Sequence, residues 1–288
     1  MPASSRIEQA LDRAVAAAEL GAPPMLAGAM RYAVFPGGHR IRPSLCIAVA
    51  KACGDPDPEA ADGAAAAIEL LHCASLVHDD LPSFDNAGLR RGKPSVHVQF
   101  GEPIAVLTGD ALIVLAFETL ARATSANLGR LGPLVSLVAR AVGAPHGIVA
   151  GQAWESETAV PLTDYQRAKT GALFVGATRA GAAAAGFDPT PWGTLGDKIG
   201  EAFQVADDLR DVLCDAEELG KPIGQDAAHH RPNAAALLGI GGAKARLEEL
   251  VRGAVDSIPD CPGADALRML IKAQVAQLFP KQLSQAAA

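Results

Sequence analysis

Aromatic side chains are scarce in this sequence: eight Phe, two Tyr and two Trp make up 4% of 288 residues. Sheet-rich cores lean on aromatic and β-branched residues, so this interior must come from Ala, Leu, Val and Ile, which suits close-packed helices. Hydrophobic residues still reach 49%, ample for a buried core, and no segment alternates strictly between polar and apolar positions. Cysteine is sparse as well. Cys46, Cys53, Cys73, Cys214 and Cys261 are odd in number and form no C-x-x-C pair, which excludes a disulfide framework or a cysteine zinc site. They read as small core residues of a reduced, cytoplasmic protein. Positive charge is in deficit, with a net charge of −7, and nothing resembles the basic stripe that nucleic acid requires. An acidic chain still binds anionic substrates if metal ions intervene. The first residues carry Arg6, Glu8, Asp12 and Arg13 where a signal peptide needs an apolar run. The apolar run after Pro103 is cut by Asp110, so no membrane span is expected.

What is present is helical periodicity punctuated by Gly and Pro. Ser4 or Ser5 caps a first helix to about Leu20, and Gly21 to Pro24 breaks it. Phe35-Pro36-Gly37-Gly38 is a turn, followed by the basic run His39-Arg40-Ile41-Arg42-Pro43 that opens a third helix. A long alanine-rich helix climbs from about Glu59 to Leu81, where Pro82 stops it. Further helices are predicted at 102–124, 130–144, 147–158, 163–183, 193–217, 232–239, 241–256 and 263–285. There are no internal repeats and no low-complexity linker, so residues 1–288 read as a single all-α domain.

Two knots of carboxylates interrupt the apolar pattern: Asp79-Asp80-Leu81-Pro82-Ser83-Phe84-Asp85, and Asp207-Asp208-Leu209-Arg210-Asp211. Asp207 and Asp211 share a helical face one turn apart, with Asp208 beside them. On a continuous helix Asp79 and Asp85 would sit about 120° apart, and the break at Pro82 lets Asp85 fold back toward the same ion. Acids that close repel one another unless a cation lies between them. Hard divalent ions of the magnesium type favour such oxygen ligands, shared with water and phosphate. Arg90-Arg91-Gly92-Lys93 follows a few residues later, and guanidinium forks suit phosphate. The pattern is that of a diphosphate held by metal on one side and arginine on the other. A solvated acidic face explains one such cluster but not two with apolar neighbours. His78 beside the acids reads as a packing residue, because magnesium prefers oxygen.

The run from His72 through Asp79-Asp80 to Ser95 resembles the first aspartate-rich region of the trans-polyprenyl diphosphate synthases. Gly37-Gly38-His39-Arg40-Ile41-Arg42-Pro43, Gly151-Gln152, Lys169-Thr170-Gly171, Phe203 to Asp211, and Leu219 to Asp226 match further family motifs in family order. The wording is most similar to the bacterial geranylgeranyl diphosphate synthases of carotenoid and bacteriochlorophyll pathways. The resemblance implies an isoprenoid-synthase helical bundle around a central cavity, usually a homodimer. It implies two or three magnesium ions, with manganese able to substitute, on Asp79, Asp85 and Asp207, supported by Asp80, Asp208 and Asp211. Arg90, Lys169 and Lys221 would hold the allylic diphosphate, with Arg231 near the place of a final phosphate-binding lysine. Arg42, His72 and Arg91 would hold isopentenyl diphosphate together with His39, which stands where the family usually has Lys. Thr170 and Gln204 would point oxygens at the allylic chain.

The implied reaction is ionisation, condensation and elimination, with the departing diphosphate as proton acceptor. Glu155 replaces the Asp usual three residues after Gln152, and the tail from Gln277 matches no family ending. Product length in the family depends on residues just below the first acid cluster, here Ala74 and Ser75. Two small side chains imply a deep cavity and a twenty-carbon product, and a bulky aromatic there would stop growth at fifteen. The alternatives are a farnesyl diphosphate synthase, a terpene cyclase, which would not need the second set of basic loops, and a regulatory subunit, which would have eroded aspartates.

Overall fold

The computed structural model describes residues 3–158, 162–213 and 234–276. The expected helices are present over the described residues: α1 (Ala3–Glu19), α2 (Pro24–Val34), α3 (Ile41–Ala52), α4 (Pro58–Asp79), α6 (Glu102–Ala123), α7 (Leu131–Val142), α8 (Ile148–Ala153), α10 (Ala172–Ala185), α11 (Gly193–Leu213), α12 (Ala234–Asp256) and α13 (Ala264–Ala276), the expected ends at 217 and 285 lying outside those residues. Two short ones join them, α5 (Val96–Phe100) and α9 (Leu162–Gln166). The fold is all-α. Among the described residues the only ladder is a two-residue antiparallel pair, Leu89–Arg90 with Lys93–Pro94, which shapes the basic loop. The expected break between the predicted helices 232–239 and 241–256 is present within α12 at Gly239, whose φ of 68° and ψ of 167° lie outside the helical region and set a kink between two helical stretches.

Helix α4 is the axis of the molecule. Asp57 caps it by accepting from the Ala60 amide at 3.1 Å, and Pro58 occupies the first turn, where no amide is needed. From Ala60 to Val77 the helix is apolar on nearly every side, and most of those side chains are buried. Small alanines let α6, α10 and α3 pack closely around it. One apolar core gathers α1, α4, α6, α7 and part of α10, and a second gathers α3, α11, α12 and the other face of α10.

Contrary to the expectation from Asp110, both α4 and α6 reach membrane-spanning length and apolarity. Asp110 does not offset the high mean hydropathy of the 18-residue stretch of α6 around it. Most of α4 is enclosed by protein. Helix α6 lies along α4 on one side and leaves Val106, Leu107 and Val114 exposed on the other.

Helices α4 and α11 both pack on α10, which lies between them. Lys169, just before α10, reaches Asp79 at the end of α4, and Thr170 reaches Gln204 near the end of α11. Both acid clusters therefore stand at the same end of the bundle, on either side of the turn that opens α10.

Candidate active site

The helix predicted over 163–183 is interrupted by a π-turn, Arg167–Gly171, that carries Lys169 and Thr170. Such bulges widen the helix and re-aim its side chains, and they occur often at functional sites. Helix α8 approaches this turn so closely that a Cβ on Gly151 would lie 2.3 Å from the Lys169 backbone nitrogen. Gly151 is therefore required where it stands, and the contact brings Gln152 and Glu155 beside Lys169.

At the end of α4 the break at Pro82 turns the chain back, and the Asp85 amide donates to the Asp79 carbonyl at 3.0 Å. Asp79, Asp85 and Glu155 then offer carboxylate oxygens that all lie within 4.8 Å of one another. Among the described residues, Oδ1 of Asp79 is buried without a hydrogen bond, and Lys169 Nζ lies 3.6 Å away. Burial pushes the Asp79 carboxyl up, Lys169 opposing this and Asp85 adding to it. An under-coordinated buried oxygen beside two further carboxylates suits a hard divalent ion. The residues present fit magnesium.

Glu155 is the residue that sequence reasoning treated only as a departure. Its Oε1 accepts from Lys169 Nζ at 2.5 Å and from the Tyr165 hydroxyl at 2.6 Å, and its Oε2 accepts from Gln152 at 2.9 Å. The signal was available: Gln152 and Glu155 are three apart on a short helix and must share a face. Tyr165 carried no motif that would have marked it.

The other acids are placed differently. Asp80 is buried and ion-paired with Arg90, whose Nε lies 3.0 Å from Oδ1. Burial pushes the Asp80 carboxyl up and Arg90 pulls it down, and the same pairing raises Arg90. Asp208 is also buried. Its Oδ1 accepts from Gln204 at 3.0 Å and its Oδ2 from the Ala234 amide at 2.7 Å, while Gln204 Oε1 accepts from Thr170 at 3.0 Å. A chain of hydrogen bonds thus ties the π-turn, α11 and the start of α12 together. Asp207 and Asp211 stand one turn apart on α11, outside the group formed by Asp79, Asp85 and Glu155. Lys221 and Arg231 lie outside the described residues.

A second set of cations gathers around His72, about two turns before Asp79 on the same face of α4. Arg42 Nη1 lies 3.4 Å from His72 Nε2, and the guanidinium sits 4.5 Å over the Phe174 ring and 5.7 Å over Phe203. Since guanidinium has no acceptor, Nε2 is the accepting nitrogen of His72. Burial, then Arg42 and Arg91, hold His72 well below the usual imidazole range, so it is neutral at pH 7. Burial first, and then Arg91, lower Arg42 to about 10, with Glu69 opposing them. Its Nε is enclosed without a hydrogen bond. Arg91 crosses Gly38 so closely that a Cβ there would meet the guanidinium carbon at 2.9 Å. His39 is exposed beside this loop.

Arg40, from the same basic run, faces the other way. It is buried, with Nη1 2.7 Å from Glu69, Nε 2.8 Å from Glu8 and Nη2 2.8 Å from the Val34 carbonyl. It braces α1, the 35–40 loop and α4, and its donors are spent there. Ala74 is buried in α4 below Asp79, and Ser75 donates to the His72 carbonyl at 2.8 Å. His78 contacts the Val106 carbonyl at 3.2 Å and takes no part in the carboxylate group.

The family model for polyprenyl synthetase matches residues 23–261. Among curated proteins, the geranylgeranyl diphosphate synthase of Cereibacter sphaeroides is 54% identical over 285 residues, covering 99% of both chains. The farnesyl diphosphate synthase of Geobacillus stearothermophilus is 40% identical over 255 residues, covering 84% of each. Among solved structures, a geranyltransferase from Helicobacter pylori, complexed with magnesium and isoprenyl diphosphate, superposes with a TM-score of 0.77. It is 29% identical and covers 96% of this chain and 98% of its own.

Proposed function

The chain belongs to the polyprenyl synthetase family, and from that premise we propose that it condenses isopentenyl diphosphate with allylic diphosphates to give geranylgeranyl diphosphate. We read residues 1–288 as one such domain acting in the cytoplasm. The observation that carries the reading is the pair of unlike anion sites near the end of α4, one at Asp79 and one around His72. One is built from clustered carboxylates that a divalent ion would hold together, and the other from arginines that, among the described residues, have no carboxylate hydrogen-bonded to them.

Asp79, Asp85 and Glu155, together with Asp207 and Asp211 of α11, would hold magnesium, which would supply positive charge to stabilise the departing allylic diphosphate. Lys169 is held by Glu155 at the edge of that group and is positioned to donate to the same phosphate oxygens. Arg42, Arg91 and neutral His72 grip the second diphosphate, that of isopentenyl diphosphate. Arg42 is costly to bury, so an incoming dianion relieves it, and binding energy is gained where the free protein is strained. Thr170 and Gln204 border the allylic chain between the two clusters. The isopentenyl double bond attacks the allylic cation, and the proton lost afterwards passes to the released diphosphate. Asp80 and Asp208 act through their partners, fixing Arg90 and Gln204.

Ala74 and Ser75 form the floor. Their small side chains support a twenty-carbon product over the fifteen-carbon one, the alternative. We further propose a homodimer. The exposed Val106, Leu107 and Val114 of α6 support it, since apolar side chains aligned on one face of an otherwise packed helix suit burial against a second copy.

The test is inorganic diphosphate release from isopentenyl and dimethylallyl diphosphates, with and without magnesium. Metal-dependent release that needs both substrates is expected. A folded protein that releases none would overturn the proposal.

A further inference from the structure

A second concave site lies outside the acid and cation sets, between α7, the loop after it and the opening of α10. It is a cavity of about 570 Å³ whose polar lining is Arg140, His146, Arg167, Arg179 and Asp197. None of these residues takes part in the site described above. Three arginines face one carboxylate, a local formal charge of +2 in a chain whose total is −7. Asp197 does little to quench them, and Asp188, outside the lining, is the other acid within electrostatic reach of Arg179. Asp197 stands 3.8 Å from Arg167 with both side chains largely exposed, and among the described residues neither Arg140 nor Arg179 has a hydrogen bond or ion pair.

Arg179 is the telling residue. It projects from α10, and its Nε is buried without a hydrogen-bond partner. It crosses the first residue of α11 so closely that a Cβ on Gly193 would meet Nη2 at 2.5 Å. A guanidinium held against backbone with an unsatisfied, enclosed donor carries a desolvation penalty that an arriving anion removes. Val175 adds an apolar wall beside the arginines.

We infer that this cavity is an accessory binding site for a diphosphate group, free or carried on a short alkyl chain. Guanidinium forks match phosphate oxygens in pairs, and three of them around one cavity supply more charge than a single carboxylate ligand could neutralise. Val175 would contact the alkyl part where one is present. The site also has a route to the reacting centre. Arg167 is the first residue of the π-turn that carries Lys169 and Thr170, so an anion bound there bears on the segment that positions both.

The test is equilibrium titration of the full-length protein with inorganic diphosphate in EDTA, comparing wild type with the double variant Arg140→Glu/Arg179→Gln. Wild type should bind one equivalent more per chain than the variant, which should retain its unfolding temperature. If Arg179→Gln impairs folding, the exposed Arg140→Glu alone should weaken the extra equivalent about tenfold. Identical stoichiometry and affinity in wild type and a folded variant would overturn the inference. Repeating the titration with geranyl diphosphate separates the two sources. Tighter binding than inorganic diphosphate at the extra equivalent assigns it to an alkyl diphosphate, and equal or weaker binding assigns it to the free anion.

Discussion

Arg42→Met should stabilise the free protein while crippling its use of isopentenyl diphosphate. In the folded chain Arg42 drops from its ordinary value to about 10, chiefly through burial, with Glu69 opposing and Arg91 adding. At 1.36 kcal/mol per pKa unit that difference corresponds to about 3 kcal/mol against the charged, folded state. Screening of the part of the side chain that reaches water lowers this to roughly 2–3 kcal/mol. The sign follows from linkage. Arginine is protonated in both states at pH 7, so the full cost is present there. It fades only above about pH 10, where the folded state gives up its proton first. Methionine keeps the stem's contact with Phe174 and Phe203, but the cation–π attraction, on the order of 1 kcal/mol, is lost. The net gain is about 1–2 kcal/mol, a rise of roughly 2–3 °C in Tm for a chain of this size. Loss of charged hydrogen bonds to the diphosphate costs about 1.5–3 kcal/mol, which should raise the KM for isopentenyl diphosphate about ten- to a hundredfold. Calorimetry and steady-state kinetics on the same preparation read both effects. A lower Tm with an unchanged KM would refute the reasoning and make Arg42 a structural residue.

Other outcomes follow from the same geometry. Asp79→Asn should leave the free protein at least as stable, since burial disfavours the charge, while magnesium-dependent turnover falls about a hundredfold or more; thermal melts and turnover at saturating metal check it. Glu155→Gln removes one of three clustered carboxylates and the anchor of Lys169. The magnesium concentration for half-maximal activity should rise about tenfold in a metal titration. Ala74→Phe with Ser75→Phe should shorten the main product from twenty carbons to fifteen or fewer, and an unchanged chromatogram would remove them as the floor. Leu107→Asp with Val114→Asp should convert a dimer into a monomer in sedimentation. A wild-type protein that already sediments as a monomer would contradict the α6 interface.

Much of this architecture could be read from breakers and periodicity. The ends of α4 and α6 fall within about two residues of positions set by Pro58, Pro82, Glu102 and Thr124, because proline and helix caps act locally. The return of Asp85 toward Asp79 was likewise a local consequence of Pro82. What could not be read depends on partners far along the chain. Asp79 and Asp80 are adjacent, yet a rotation of about 100° sends one to the cleft and the other to Arg90. Arg40 and Arg42 look alike in the basic run, but Glu8 and Glu69 capture the first, and among the described residues no acid reaches the second within hydrogen-bonding distance. The π-turn at Lys169 is stabilised by close contact with α8 through Gly151, a contact that no periodicity encodes. The role of Glu155 emerged only when that contact set it beside Asp79.

The most direct test of the account is product analysis. Purified protein would be incubated with isopentenyl diphosphate, magnesium and, in turn, dimethylallyl, geranyl and farnesyl diphosphates, and the prenyl chains resolved by length. The predicted result is a twenty-carbon product from each primer, absent in EDTA. A folded protein that elongates none of the three with magnesium present would contradict the central claim.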